Sequence, residues 1–218
     1  MTTLLALATL TACDGDTPTD SALPTDVFAA AITSHADGDS ALEGYRVGLA
    51  GVVNDPDGVN SDVAVTWNVD GNEVCPETSA ADDGTTGCDV VLDAGEQVVV
   101  LEARAPDGES TQDTITLEVV ATEAPTAVIS EPLDGATLTN DPGVYMAGTV
   151  ADAEDAATDL LFTWSSTRQG PLVGSTTPTE DGLAEALVVM DLGVHVLELA
   201  VIDATGKSGA HRITVTVE

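Results

Sequence analysis

The chain repeats itself, and that limits its fold more than any other feature. Displaced by 97 residues, Ile32 falls on Ile129, Asp37-Gly38 on Asp134-Gly135 and Gly51 on Gly148. Asp55 falls on Asp152, Asp62 on Asp159, and Thr66-Trp67 on Thr163-Trp164. From Ile32 to Trp67, 11 of 36 positions match without a gap. A displacement of 98 then aligns Gly95 with Gly193, Leu101 with Leu199, Gly108 with Gly206 and Ile115-Thr116 with Ile213-Thr214. Such self-similarity means one structural unit used twice. The units are 26–120 and 125–218, joined by a linker at 121–124.

Each unit reads as strands. In 63–69, Val63, Val65, Trp67 and Val69 share one face, and Leu160, Phe162 and Trp164 do so in the second copy. Val99, Leu101 and Ala103 point inward, as do Leu197, Leu199 and Val201, with Glu198 outward. The last strands place Ile115, Leu117 and Val119 inward, and Ile213, Val215 and Val217 in the copy. Thr114, Thr116, Thr214 and Thr216 face water. Period-two alternation broken by Asp-Gly, Pro-Asp-Gly and Thr-Gly is the pattern of antiparallel strands with short loops. The helix-like stretch 180–190 ends Val-Val-Met and is read as a strand.

About seven strands in about 95 residues, with a Trp on the third, predict an immunoglobulin-like β-sandwich. Trp67 and Trp164 are predicted to pack in the two cores, with Gly51 and Gly148 leaving room for the rings. Gly51-Val-Val-Asn-Asp55-Pro-Asp-Gly58, Val65-Thr-Trp67-Asn-Val-Asp70-Gly71 and Gly95…Leu101…Pro106-Asp-Gly108 resemble a PKD-type domain. The second copy carries Gly148…Asp152…Trp164 and the run from Gly193 to Asp203. The resemblance spans 27–218 and implies the fold more than any activity. Neither copy has the fuller Trp-x-Phe-Gly-Asp-Gly core, and a general bacterial Ig-like description fits as well.

The chain opens Met-Thr-Thr-Leu-Leu-Ala-Leu-Ala-Thr-Leu-Thr-Ala-Cys13. Its apolar run is far shorter than the roughly 20 residues a membrane span needs, and fits the h-region of a secretory signal. Leu10-Thr11-Ala12-Cys13 resembles the lipobox of bacterial lipoproteins, in which the cysteine is acylated and becomes the mature N-terminus. No Lys or Arg precedes the run. Residues 13–25, acidic and rich in Thr and Pro, suit an extended, disordered tether. Residues 1–12 are therefore expected to be a signal peptide, and the lipid on Cys13 the one membrane contact. The fold class expected is all-β: two tandem Ig-like sandwiches after a lipidated tether, exported and anchored in a bacterial cell envelope. With Cys13 set aside, Cys75 and Cys88 remain, and an exported pair is expected to form a disulfide. Their spacing is not that of a zinc site, and no nearby histidine completes one.

Acidic residues number 38 and basic residues 5, a net charge of −33. Phosphate contacts need clustered Lys and Arg, so nucleic-acid binding is excluded, as is a basic membrane-docking patch. The 43% of apolar residues suffices for a core despite the charge. Acidity of this kind also keeps proteins soluble in saline settings. The chain has no G-x-S-x-G, H-E-x-x-H or phosphate loop. His195 is read as an outward-facing residue of its strand, and His35 and His211 lie in different units. No catalytic role is assigned.

Calcium is the sharper ligand expectation, because Ca²⁺ takes six to eight oxygens. The loop before the Trp strand holds Asp55, Asp57 and Asp62 in unit one, and Asp152, Glu154, Asp155 and Asp159 in unit two. The latter group is expected beside Glu123 of the linker and Asp203, where cadherin-like tandems gather carboxylates from two domains on one ion. The alternative is a solvated acidic loop, since Asp-Pro-Asp-Gly is also good turn chemistry. No cofactor is required by this reading.

The expectation is a non-catalytic envelope lipoprotein acting in adhesion, structure or spacing, with a protein or polysaccharide partner at the cell surface. The alternatives are a glycan- or polymer-binding accessory protein and a calcium-stiffened interaction module. Buried Trp side chains favour the spacer, and exposed ones a polysaccharide platform.

Overall fold

A computed structural model describes residues 23–140 and 142–218. The signal peptide, Cys13 and most of the tether lie outside the described residues.

Unit one contains β1 (Ala29–Ile32), β2 (Ser40–Leu42), β3 (Arg46–Asn54), β4 (Ala64–Val69), β5 (Asn72–Ser79), β6 (Thr85–Val91), β7 (Gly95–Arg104) and β8 (Ser110–Val120). Unit two contains β9 (Thr126–Glu131), β10 (Thr137–Leu138), β11 (Val144–Ala151), β12 (Leu161–Ser166), β13 (Gly170–Thr176), β14 (Leu183–Val188), β15 (Gly193–Ile202) and β16 (Ser208–Val217). In unit one, a three-stranded sheet β1-β3-β6 faces a five-stranded sheet β2-β8-β7-β4-β5. Unit two repeats this with β9-β11-β14 and β10-β16-β15-β12-β13. The molecule is thus two tandem Ig-like sandwiches, as its sequence repeat predicts.

The first strand of each unit is broken, so the Trp falls on the fourth strand rather than the third. The break is built by the repeated Asp-Gly. Asp37 Oδ1 accepts from Thr116 N at 2.8 Å, and Asp134 Oδ1 from Thr214 N at 2.8 Å. Gly38 and Gly135, at positive φ, donate to the carbonyls of Thr116 and Thr214. The chain is thereby handed from the small sheet to the large one, where β2 and β10 run parallel to the last strand.

The two cores are the inward sets read from the alternation. Trp67 and Trp164 are buried, together with Val65, Leu101 and Leu117 in one unit and Leu160, Leu197 and Leu199 in the other. Gly51 and Gly148 serve these cores differently from expectation. A Cβ on Gly51 would stand 2.5 Å from Leu101 Cδ2 and 2.9 Å from the Ala31 carbonyl, with Trp67 only third at 3.3 Å. On Gly148 it would meet Leu199 Cδ2 at 2.5 Å and the Val128 carbonyl at 2.7 Å. The missing side chain makes room for a leucine and for the neighbouring strand.

Cys75 and Cys88 form a disulfide between β5 and β6, and so between the two sheets of unit one, with a Cα separation of 6.2 Å. By register, Val173 and Ala186 occupy these places in unit two.

Candidate functional site

Among the described residues, a network of side-chain bonds that links distant parts of the chain lies where the two units meet. It is built from the β15–β16 hairpin. Gly206, at φ +91°, lets the turn close, with Asp203 N donating to the Lys207 carbonyl at 3.0 Å. Asp203 Oδ1 then accepts from Thr205 N, Thr205 Oγ1 and Lys207 N, each at 2.8 Å. A carboxylate accepting several N–H bonds fixes a turn firmly. This one holds the backbone of Lys207, the only lysine in the chain.

From that turn the Lys207 ammonium reaches unit one and the linker. Its Nζ donates to Glu43 Oε2 at 2.7 Å, to the Thr122 carbonyl at 2.6 Å and to Thr122 Oγ1 at 2.8 Å. An ammonium has three protons, and three acceptors receive them. Glu43 Oε2 also accepts from Thr122 N at 3.3 Å, which ties loop, linker and hairpin together. Thr122 is buried, and both partners of the ion pair are about two-thirds covered. The bond from Lys207 and the Thr122 amide hold the Glu43 carboxyl below its ordinary pKa.

Gly44 completes the contact. It sits at φ +79°, and a Cβ there would meet Thr205 Cβ at 2.9 Å. Beside it, Tyr45 lies against Asp155. That interaction raises the phenol pKa, with burial and the charges of Asp152 and Asp203 adding to it.

Of the six residues expected to gather their carboxylates here, Asp152, Glu154, Asp155 and Asp203 place theirs at the junction, and Glu123 contributes its backbone amide. Asp152 Oδ1 accepts from Glu154 N and Asp155 N, both at 2.9 Å. Asp155 Oδ2 accepts from Ala204 N at 3.1 Å, and Glu154 Oε2 from Glu123 N at 3.3 Å. Asp203 is engaged as described. Asp159 stands apart and exposed in a short 3-10 turn (Ala157–Asp159). One oxygen each of Asp152, Glu154, Asp155 and Asp203 thus accepts from backbone amides, while Asp152 Oδ2 is buried without a partner. Among the described residues no group of three or more His, Cys, Asp or Glu is arranged to hold a metal ion.

His195 is fully buried, against the expectation of an outward side chain. It lies two positions before Leu197 on the same strand, so it shares the inward face. Its Nε2 donates to the Asp191 carbonyl at 2.7 Å, and its Nδ1 pairs with Ser166 Oγ at 2.7 Å. Gln97 in unit one plays the same part, donating to the Asp93 carbonyl at 3.1 Å. His195 is therefore a loop clamp. His35 pairs with Ser34 on a loop, and His211 accepts from Ile129 N.

A groove of about 480 Å³ lies on the outer face of the five-stranded sheet of unit one. Thr66, Glu73, Glu77, Glu102, Arg104 and Gln112 line it, and no aromatic ring does.

The junction residues that sequence reasoning missed are Glu43, Gly44, Tyr45, Thr122 and Lys207. One signal was present. Lys207 occupies the place of Glu109 in the first copy, a charge reversal at the sole lysine of a strongly acidic chain.

No family model matches the chain, and no curated protein matches it. Solved structures resembling it include the fibronectin(III)-like modules of Clostridium thermocellum CbhA, at 14% identity over 87% of this chain and 94% of that one, with a TM-score of 0.41. A 1.5-MDa bacterial ice-binding adhesin matches at 16% identity over 88% of this chain and 65% of that one, TM-score 0.44. SGBP-B of Bacteroides ovatus, solved with a mixed-linkage heptasaccharide, matches at 16% identity over 86% and 47%, TM-score 0.32. Likenesses at this level assign neither a family nor a function.

Proposed function

We propose that this chain is a non-catalytic arm of a bacterial cell envelope: exported, held by a lipid on Cys13, and stiffened into a spacer by the contact between its two PKD-type units. The observation that carries the reading is the Lys207 latch, in which one ammonium satisfies a glutamate of the first unit and two oxygens of the linker. Domains joined only by a linker move by default, so a contact that uses every proton of a scarce cation argues for fixed geometry. Burial of both Trp side chains supports a spacer over a polysaccharide platform. The bare groove of unit one points the same way, because sugar platforms rely on exposed rings.

The test is expression of the full chain, and of Cys13→Ser, in a bacterium that processes lipoproteins, with a labelled fatty acid supplied. Label on the wild-type protein in the membrane fraction, lost together with membrane retention in Cys13→Ser, is the expected result. An unlabelled wild-type chain in the soluble fraction overturns the anchored reading.

A further inference from the structure

Unit two has histidines at two places where unit one has none. By the displacement of 98, His195 stands at the place of Gln97 and His211 at that of Asp113. Register agrees: His195 pairs with Val215 as Gln97 pairs with Leu117, and His211 pairs with Leu199 as Asp113 pairs with Leu101. Both imidazoles lie in the inward register of their strands, His195 fully buried and His211 half-buried.

The bonds admit one form of each ring. Ile129 N only donates, so His211 Nδ1 accepts through its lone pair and the ring proton sits on Nε2. The Asp191 carbonyl only accepts, so His195 Nε2 carries the proton and Nδ1 takes the bond from the Ser166 hydroxyl. Both rings are neutral, with the lone pair on Nδ1, and a second proton has to go there. On His211 it sets N–H against N–H and leaves the amide of Ile129, a buried residue, without its acceptor. On His195 it places a cation in the core. The Ser166 oxygen, which accepts from Arg168 N at 3.2 Å, then loses the bond it donates.

No carboxylate compensates, since among the described residues neither imidazole has an ion-pair partner. The charged groups around His195 are Arg168, whose guanidinium lies over Gly193, Asp191 on the preceding connection and Glu218 beyond β16. Arg168 adds a like charge. Around His211 they are Glu131 on β9 and, at the β15–β16 turn, Asp203 and Lys207, both already engaged at the junction. Glu198 and Arg212 pair on the opposite face of the sheet. Strands β10, β11 and β12 hold no charged residue. Histidine changes charge between about pH 8 and 5, a range in which a carboxylate still accepts and a carboxamide does not titrate. The equivalent bonds of unit one, from Ile32 N to Asp113 and from Gln97 to the Asp93 carbonyl, therefore do not respond there.

We propose that unit two is an acid-sensitive element, in which protonation of His211 frees β9 from β16 and protonation of His195 frees the β14–β15 connection, while unit one keeps its structure. The open unit takes up these protons without losing bonds, so the stability they give is present at the alkaline end of the range and lost as pH falls.

The test is amide hydrogen exchange by NMR on the full chain carrying Cys13→Ser, at constant salt, from about pH 7.5 to about pH 5.5, with rates corrected for the intrinsic effect of pH. Protection of the Ile129 amide should fall several-fold over this range, and that of the Ile32 amide should not. His211→Asp with His195→Gln gives unit two the residues of unit one and should flatten the response at Ile129 with both units folded. Nitrogen spectra of the wild-type rings need no variant: at the upper pH both should show a bare Nδ1 and a protonated Nε2. Parallel changes at Ile129 and Ile32 overturn the proposal, as does a response that survives the double variant. A protonated Nδ1 on His211 at the upper pH overturns it as well.

Discussion

The indole Nε1 of Trp67 donates to Thr86 Oγ1 at 3.4 Å, and the same atom of Trp164 has no partner. The difference is one residue. Thr86 pairs with Gly51 across the small sheet, and at the equivalent register Gly148 pairs with Ala184. A buried N–H without an acceptor carries its desolvation cost uncompensated. Ala184→Thr should restore the bond and stabilise unit two by about 1 kcal/mol, a rise of several degrees in its unfolding midpoint by calorimetry. A fall in the midpoint would show that the core at Ala184 has no room for the extra atoms.

A second pair of equivalent bonds uses different chemistry. Ile32 N donates to Asp113 Oδ2 at 2.7 Å, and Ile129 N donates to His211 Nδ1 at 3.0 Å. Both tie the first strand of a unit to its last. Either acceptor should serve, so His211→Asp should keep the stability of unit two. His211→Ala should cost about 1–2 kcal/mol in denaturant unfolding, because the strand amide loses its partner. Equal losses in both variants would show that the imidazole acts by packing.

The disulfide protects one unit only. Cys75 and Cys88 close a loop with a sequence separation of 13. A crosslink of that size is worth about 3 kcal/mol. Reduction should lower the unfolding transition of unit one and leave that of unit two in place, since Val173 and Ala186 stand there instead. Calorimetry with and without reductant reads this directly, and a common shift of both transitions would contradict it.

Acid should open the junction. The Glu43 carboxyl is lowered in the folded state by Lys207 first and the Thr122 amide second. A lowered folded pKa gives stability that is fully present above the ordinary glutamate range and lost as pH falls through the folded value. The contact between units should therefore hold at neutral pH and loosen on acidification below that range. Glu43→Gln should flatten the dependence. Chemical shifts of the Thr122 and Lys207 amides, followed by NMR against pH, check it.

The alternation of residues 63–69 and 97–103 settled the strand faces, because burial of one face leaves a period-two trace in any half-buried strand. The repeated Asp-Gly was visible too, though not that it breaks the first strand, because that depends on Asp37 and Asp134 reaching the amides of strands about 80 residues away. His195 was misplaced for a different reason. A polar residue in an apolar register reads as outward unless its buried partner is known, and that partner is a loop carbonyl.

The junction was legible as a place and not as a mechanism. The acidic loop of unit two, the linker and the Asp203 turn were expected together, and they meet. Which oxygens would be free for an ion depends on which backbone amides point at them, and sequence does not carry that. Lys207 and Glu43 lie 164 residues apart, and nothing local in the sequence pairs them.

The central claim is that the Lys207 latch makes the two units one stiff body. It is tested most directly by residual dipolar couplings of both units in a weakly aligned sample of the wild-type chain and of Lys207→Met. The account predicts one shared alignment tensor for the wild type. In the variant the two tensors should diverge, with each unit still folded. Different tensors already in the wild type, or a shared tensor that survives the loss of Lys207, would contradict it.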